Sequence, residues 1–443
     1  MESPLIQYYS KLQEIGGVLQ SYAAALSFRP SFELPPLENR HRTFLETPEM
    51  CLRALGHESG CDLRMLDLTG NPRTRTTKTF ASLLMVLRAV HHIETTGERI
   101  VVVTPSSGNK ATALRDAVLR AYESGLTDPE RLRLLSVVPS SSAGKVWASP
   151  LDVDETLRAA NPVVFFDCAA PAEVKNVAQS SIEHVLSAPH ALPPGYRIWF
   201  SLDPDNYRHA DAARAFAEQE LWPRRGRTGR RLQAHTVSSA YGLLGHALGE
   251  RWTGRADSSY FLIQHMATPD LVLHWAADGN FSTENLPDYQ RDGDTGLLTQ
   301  NSSPHFPHMV HAVDEEIDPT FYTRTPITAE QMTAVIRKQG GGGIVVSRAE
   351  CEQRYEEVRK LLLEGGYPGL PQNSADLREW SLPMGLTGVL NALDRGLVQE
   401  PEILLHGTGV YSTADFEALP PEHAHVTDDA ATVAQLLLET LHR

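Results

Sequence analysis

Hydrophobic and polar residues alternate along the chain in blocks that predict strands followed by helices. Short β-branched and aromatic runs, which favour buried strands, lie at residues 99–103, 132–138, 162–166, 196–200, 260–263, 343–347 and 402–405. Apolar residues at helical spacing predict helices at residues 111–124, 153–160, 173–187, 210–221, 240–250, 329–338, 351–363, 385–395 and 430–441. Because strands and helices follow one another, the pattern indicates an α/β fold with parallel sheet.

Three segments interrupt this alternation. Residues 1–60 carry apolar side chains at helical spacing, and we expect them to form a helical N-terminal extension that packs on the main body or at a subunit interface. Residues 275–320 have little periodicity and predict an insertion. The arginine-rich run 224–231 fits a solvent-exposed connector, and contact with RNA or a phosphorylated ligand is the alternative.

Composition narrows the class of protein. With 443 residues, 41% hydrophobic and 21% charged, the chain can form large cores. A formal net charge of −15 argues against binding to nucleic acid or to an anionic membrane, and no apolar run is long enough for a membrane helix. The cysteines form no CxxC pair, and we expect a cytoplasmic protein with reduced thiols. His305, His308 and His311 are spaced by three but lie in a loop, so we predict no metal site.

Three turns that follow strands carry small polar residues, where open α/β sheets bind ligands. They lie at residues 104–111, 235–245 and 406–411. The first two combine hydroxyls and amides at a helix start, which suits a carboxylate or a phosphate as well as a plain capped turn. In the third, two glycines flank Thr408, which fits close approach to a ligand or an ordinary tight turn.

Lys78 lies among small hydroxylated residues, just before the apolar run 82–87 that is predicted to be helical. A lysine at the start of a partly buried helix lies near the positive end of the helix dipole and loses water. Both effects lower the pKa of the amine. Lys78 is therefore a candidate nucleophile, and a surface lysine at a helix start fits the same pattern.

Taken in order, these segments resemble the threonine synthase branch of the fold-type II pyridoxal-phosphate (PLP) enzymes, relatives of cysteine synthase and serine/threonine dehydratase. Residues 71–81 look like the family's Asn-Pro-Thr-Gly-Ser-Phe-Lys segment, and 104–109 look like its Ser-Ser-Gly-Asn loop. Residues 238–245 stand where its glycine-rich phosphate loop lies, and Thr408-Gly409 looks like its C-terminal Thr-Gly signature. The resemblance covers residues 60–415.

The resemblance implies two open parallel-sheet α/β domains with the cofactor in the cleft between them. The large PLP-binding domain would comprise residues 61–95 plus 196–443, and the small domain residues 96–195. Lys78 would form the Schiff base with PLP and shuttle protons at Cα and Cβ of the substrate. Asn109 would bind the 3′ oxygen of the cofactor, and Thr408 would face its pyridine nitrogen. The substrate carboxylate would be held by Ser106, Ser107 and Gly108, and the 5′ phosphate by Ser238, Ser239, Ala240, Tyr241 and Gly242.

The sequence departs from the family at several of these positions. The spacing from Asn71 to Lys78 is one residue longer, Thr77 replaces an aromatic residue, and the phosphate loop has lost most of its glycines. These changes suggest a divergent member with a different amino-acid substrate. Arg73 and Arg75 are candidates for binding an anionic side chain or leaving group.

The sequence thus predicts a PLP-dependent enzyme, expected to be a homodimer, that catalyses β- or γ-elimination or replacement on an amino acid in specialised biosynthesis. A neutral hydroxyl such as that of Thr408 does not hold the ring nitrogen protonated, which favours elimination and replacement over transamination. A PLP-dependent dehydratase or racemase is the first alternative. A non-catalytic scaffold or partner subunit with the same fold is the second, and the loss of glycines supports it.

Overall fold

The computed structural model describes residues 2–22, 28–46, 48–187, 192–224, 229–255, 257–367 and 369–442. Parts of the predicted N-terminal extension (residues 23–27) and of the arginine-rich connector (residues 225–228) lie outside these ranges. None of the described helices is both long and apolar enough to cross a membrane.

Helices and strands alternate through most of the chain. The helices are α1 (Pro4–Gln7), α2 (Tyr9–Tyr22), α3 (Asn39–Leu45), α4 (Lys78–Thr96), α5 (Asn109–Glu123), α6 (Pro150–Val153), α7 (Glu155–Ala160), α8 (Glu173–Ser187), α9 (Pro204–Asp211), α10 (Ala213–Leu221), α11 (Tyr241–Trp252), α12 (Asp270–Ala276), α13 (Ala329–Gln339), α14 (Arg348–Gln353), α15 (Tyr355–Glu364), α16 (Ser381–Asp394) and α17 (Ala430–His442). The strands are β1 (Cys51–Glu58), β2 (Cys61–Asp67), β3 (Arg99–Pro105), β4 (Leu132–Pro139), β5 (Val163–Phe166), β6 (Tyr196–Phe200), β7 (Arg231–Thr236), β8 (Ser258–His265), β9 (Gln290–Arg291), β10 (Leu298–Thr299), β11 (Met309–Val310), β12 (Gly341–Val346), β13 (Leu377–Glu379), β14 (Glu402–Gly407), β15 (Tyr411–Ser412) and β16 (His425–Thr427).

The chain divides into two units, and unit 1 comprises Met1–Glu49, Asn71–Ala210 and Phe416–Arg443. Its sheet has the order β16-β5-β4-β3-β6, and every pair is parallel. Apolar side chains of α8 and α17 cover one face, and Ala111 of α5 packs on the other. The predicted parallel α/β architecture is therefore confirmed for this unit.

Unit 2 comprises Met50–Gly70 and Asp211–Asp415. Its main sheet has the order β1-β2-β14-β7-β8-β12, in which only the β1–β2 pair is antiparallel. Helices α15 and α16 contribute to the core on one side, and α11, α12 and α13 to a second core. Within the predicted insertion, β9, β10 and β11 form a small antiparallel sheet.

The boundaries of the two units differ from the predicted domain boundaries. Residues 71–95 and 196–210, which we expected in the large domain, belong to unit 1. Helix α4 packs against α5, and β6 pairs with β3. The C-terminal residues 416–443 belong to unit 1 as well, since β16 pairs with β5 and α17 packs on α8.

The N-terminal extension is shorter than predicted, because residues 51–58 form strand β1 instead of a helix. Strands β1 and β2 are joined by the two-residue turn Ser59-Gly60, in which both residues have positive φ angles of 49° and 85°. Such a turn matches the twist of paired strands, and this hairpin adds β1 to the edge of the unit 2 sheet.

The extension packs on the rest of unit 1 through polar contacts as well as apolar ones. The buried guanidinium of Arg88 on α4 donates to the carbonyl oxygens of Pro30 and Ser31 and to Asn206 Oδ1, at 2.6, 2.7 and 2.7 Å. It also lies 3.6 Å from the ring centroid of Phe32. Because a buried arginine needs its hydrogen bonds, these contacts tie residues 30–32 to α4.

Candidate functional site

Lys78 is the first residue of α4 and is half-buried, as the sequence predicts. The preceding turn is held by hydrogen bonds from the amides of Thr74 and Arg75 to the carbonyl oxygen of Asn71. Arg75 has a positive φ of 44°, which a non-glycine residue adopts only in a tightly constrained turn. Lys78 Nζ lies 5.1 Å from the ring centroid of Tyr207, a buried residue of α9. The amine therefore lies against an aromatic face inside unit 1.

The Ser106–Asn109 turn joins β3 to α5 in the same unit. Ser106 Oγ accepts hydrogen bonds from the amides of Gly108 and Ala111, at 3.1 and 2.9 Å. Ser107 and Asn109 are buried. Ser106 thus fixes the shape of the turn through its own hydroxyl, and the substrate contacts proposed for this turn stay a prediction.

Gly108 is required in this turn for two reasons. Its φ is 115°, a conformation that L-residues rarely adopt, and an added Cβ would lie 2.8 Å from Lys145 Cβ. We expect Gly108→Ala to lower the free energy of unfolding by about 1–3 kcal/mol, because the strained backbone and the contact both resist the new methyl group. Urea denaturation measures the loss. Gly144→Ala is the matched control, since its Cβ would meet nothing within 4 Å, and equal stability of the two variants would contradict the argument.

Arg73 forms ion pairs within unit 1. Its guanidinium pairs with Asp116 and Glu123 of α5, at 2.7 and 3.0 Å. Asn71 Nδ2 also donates to Asp116, at 3.0 Å. These carboxylates balance the charge of Arg73 and join the turn before Lys78 to α5. Binding of an anionic substrate group by Arg73 or Arg75 stays a prediction.

Sequence reasoning missed a second lysine in unit 1. Lys110 is buried at the start of α5, and its Nζ donates to Ser201 Oγ at 2.6 Å. Ser201 Oγ in turn donates to Thr104 Oγ1 at 2.9 Å. Thr104 and Ser201 lie at the carboxyl ends of the neighbouring parallel strands β3 and β6, so their closeness follows from the strand order. The adjacency of Lys110 to Asn109 was the available signal.

In unit 2, the turn at residues 237–240 leads into α11. Ala240 takes a left-handed conformation with φ of 55° just before the first residue of the helix, Tyr241. The hydroxyls of Ser238 and Ser239 both donate to Thr323 Oγ1, at 3.1 and 3.0 Å. The predicted phosphate turn therefore combines a helix N-terminus with a cluster of hydroxyls.

A guanidinium that the sequence did not single out lies at this helix start. A Cβ added to Gly242 would lie 2.5 Å from Arg214 Nη1, so the glycine leaves room for this side chain in its observed position. Arg214 is buried on α10 and donates through Nε and Nη2 to Asp211 Oδ1, at 2.9 and 2.7 Å. The guanidinium of Arg214 thus lies beside the first turn of α11.

Thr408 follows β14 and is half-buried. Its Oγ1 lies 3.3 Å from Thr236 Oγ1, at the end of the neighbouring strand β7. The hydroxyl of Thr408 is thus part of the polar edge formed by the carboxyl ends of β7 and β14, where the sequence predicts a ligand contact.

Behind this edge, unit 2 contains a buried network of ionisable side chains. Glu218 accepts hydrogen bonds from Arg231 and from Gln233 Nε2, and pairs with His246 Nε2 at 2.7 Å. The rings of His235 and His406 stack with centroids 3.9 Å apart, and burial lowers the pKa of both well below the usual value. Both imidazoles are therefore neutral. Glu218 and Glu402, which both pair with Arg231, provide carboxylates to the network.

The described residues contain no group of three or more His, Cys, Asp or Glu side chains that could hold a metal ion. His305 Nδ1 instead pairs with the carbonyl oxygen of Gly343 at 2.8 Å, and His311 with Glu352 at 3.3 Å.

Solved structures share this fold. PLP-bound threonine synthase from Brucella melitensis aligns with a TM-score of 0.55 and 10% identity, over 91% of this chain and 83% of that chain. Yeast threonine synthase aligns with a TM-score of 0.55 and 11% identity, over 91% and 83% of the two chains. A fungal L-serine ammonia-lyase from Rhizomucor miehei aligns with a TM-score of 0.50 and 11% identity, over 85% and 96%. The predicted fold-type II architecture is therefore confirmed.

Comparisons of sequence identify fewer relatives than the comparison of folds does. No curated protein sequence matches the chain significantly. The family model described as a family of unknown function, DUF6002, matches residues 1–441. The fold is that of threonine synthase and its relatives, and the chain belongs to the family DUF6002.

Proposed function

We propose that this protein is a PLP-dependent enzyme that catalyses β- or γ-elimination or replacement on an amino acid. We place it in specialised amino-acid or natural-product biosynthesis because the loops that would contact ligand differ from those of threonine synthase. The observation that carries the proposal is the position of Lys78, which begins α4 with its amine against the ring of Tyr207. The fold shared with PLP-bound threonine synthase supports it.

The donor groups of the chain fit PLP chemically. In unit 2, the hydroxyls of Ser238 and Ser239, the first-turn amides of α11 and the guanidinium of Arg214 suit a phosphate group. Thr408 offers a neutral hydroxyl to a pyridine nitrogen. In unit 1, Lys78 offers an amine to the aldehyde, and such lysines are activated by loss of water around them.

PLP, when bound, supplies an electron sink for negative charge at the substrate's Cα. The residues of the chain supply binding, orientation and proton transfer. Lys78 would take the proton from Cα and return a proton later in the reaction. Ser107, Gly108 and Asn109 would orient the substrate and cofactor through the turn that Ser106 stabilises. The neutral hydroxyl of Thr408 would not keep the ring nitrogen protonated, so elimination and replacement would be favoured over transamination.

The substrate, the assembly and the location in the cell belong to the same proposal. We propose an amino-acid substrate whose carboxylate binds at residues 106–108, and a homodimer in the cytoplasm. Sedimentation of the purified protein tests the dimer, and a monomer at micromolar concentration would contradict it.

An absorption spectrum with and without added PLP tests the proposed function. We expect a yellow protein whose cofactor becomes permanently attached to Lys78 when borohydride is added, as peptide mapping would show. A protein that stays colourless with PLP present would refute the enzyme and leave the non-catalytic scaffold. Release of a keto acid from serine or threonine, with water as the leaving group, would identify a dehydratase, and inversion of a chiral amino acid without any leaving group would identify a racemase.

A further inference from the structure

Lys110 has the surroundings of a reactive amine. It is buried where β3 turns into α5, directly after Asn109, and its Nζ lies 5.7 Å from the ring centroid of Tyr207. Lys78 Nζ lies 5.1 Å from the same centroid. The side chain of Tyr207 is therefore shared by two lysine amines that come from different helices of unit 1.

The charges around Lys110 favour the neutral amine. Within the described parts of the chain, no carboxylate forms an ion pair with Lys110, and its hydrogen-bond partner is the hydroxyl of Ser201. Burial lowers the pKa of Lys110 well below the usual value, and the charges of Lys78 on α4 and Lys175 on α8 lower it further. The α9 residue Tyr207 contributes a ring and no charge. A lysine in such a setting is a base or a nucleophile instead of a cation.

We propose that Lys110 is a second base of the proposed active site, which takes the proton from an incoming nucleophile as that nucleophile replaces the substrate's leaving group. The inference rests on the proposed function. The nucleophile forms a bond to the carbon that loses the leaving group, its proton passes to Lys110 Nζ, and the resulting ammonium later gives this proton to water. Lys78, which holds the cofactor, keeps its separate task at Cα.

Separate proton-transfer roles for Lys78 and Lys110 favour one class of reaction, which is replacement. Elimination requires proton removal from the substrate carbons, the task proposed for Lys78, whereas replacement also requires the nucleophile to lose its proton. Two hydrogen bonds hold Lys110 in position for that task. The hydroxyl of Ser201 donates to Thr104 Oγ1, so Ser201 Oγ is free to accept the hydrogen bond from Lys110 Nζ. The inference therefore assigns replacement, not simple elimination, as the main reaction.

The first test needs no substrate. The full-length protein, labelled with ¹³C and ¹⁵N in lysine, would be titrated by NMR, and the Lys110 signal identified by its loss in Lys110→Met. We expect the shifts of a neutral amine for Lys110 at pH 7. A protonated Lys110 at pH 7 would overturn the inference.

The second test separates the two bases. The PLP-loaded protein would be given O-acetyl-L-serine or O-phospho-L-homoserine in D₂O, with 2-mercaptoethanol as the nucleophile. In Lys110→Met we expect Cα deuterium exchange to stay within about twofold, and the replacement product to fall at least tenfold, a loss typical of removing a base. Ser201→Ala is the positioning control and should fall less. Unchanged replacement in Lys110→Met refutes the inference alone, whereas a protein that binds no PLP refutes the proposed function.

Discussion

Replacing Lys78 with alanine should abolish the yellow band of the PLP-treated protein and lower turnover by about 10²–10⁴-fold or more. The variant loses the amine that lies against Tyr207, which in the proposed function both attaches the cofactor and serves as the base at Cα. The absorption spectrum and peptide mapping after borohydride reduction measure the first effect, and a product assay measures the second.

Lys360→Ala is the matched control for this experiment, because Lys360 is exposed on α15 and pairs only loosely with Glu364, at 3.8 Å. Its spectrum and turnover should match those of the unchanged protein. A yellow band that persists in Lys78→Ala would show that another lysine binds the cofactor. Circular dichroism of both variants distinguishes loss of the amine from loss of the fold.

Glu218→Ala should lower the free energy of unfolding by about 3–5 kcal/mol, the cost of breaking a buried ion pair by removing one partner. The truncation removes a hydrogen-bond partner of Gln233 and His246, and one of the two carboxylates that pair with Arg231, in a core from which water is excluded. Urea denaturation measures the change. Glu364→Ala, which removes one member of an exposed pair, should change the stability by less than about 1 kcal/mol. Equal effects of the two substitutions would contradict a structural role for the buried network.

The free energy of unfolding should also depend on pH through the carboxylate of Glu218. Burial raises the pKa of Glu218, but the hydrogen bond and charge of His246 and the charge of Arg231 outweigh burial and lower that pKa to about 2, below the ordinary value of 4.5. A folded-state pKa below the unfolded one contributes stability that is complete above about pH 4.5 and is lost as the pH falls toward about 2. The stability difference between the unchanged protein and Glu218→Gln should therefore shrink over that range. A constant difference would show that the charge of Glu218 does not contribute.

The sequence by itself determined most of the elements. Patterns set by neighbouring residues predicted strands at residues 99–103 and 132–138, with a helix between them. The structure has β3, α5 and β4 there. For the same reason the sequence located Lys78 at a helix start and residues 106–109 in a turn. The hairpin of β1 and β2 was missed because β1 is largely half-buried or exposed, with one buried residue, so that its hydrophobic pattern is weak.

The tertiary structure alone decided which of these residues meet. Lys110 contacts Ser201 because β3 and β6 are neighbours in the sheet, although 91 positions separate the two residues in sequence. Arg214 reaches the first turn of α11 because a glycine at position 242 leaves space for it. Local patterns determine helices and strands because their hydrogen bonds and side-chain periods span a few residues. Strand order and packing bring distant residues together. The positions of Lys110 beside Ser201 and of Arg214 beside the predicted phosphate turn depend on them.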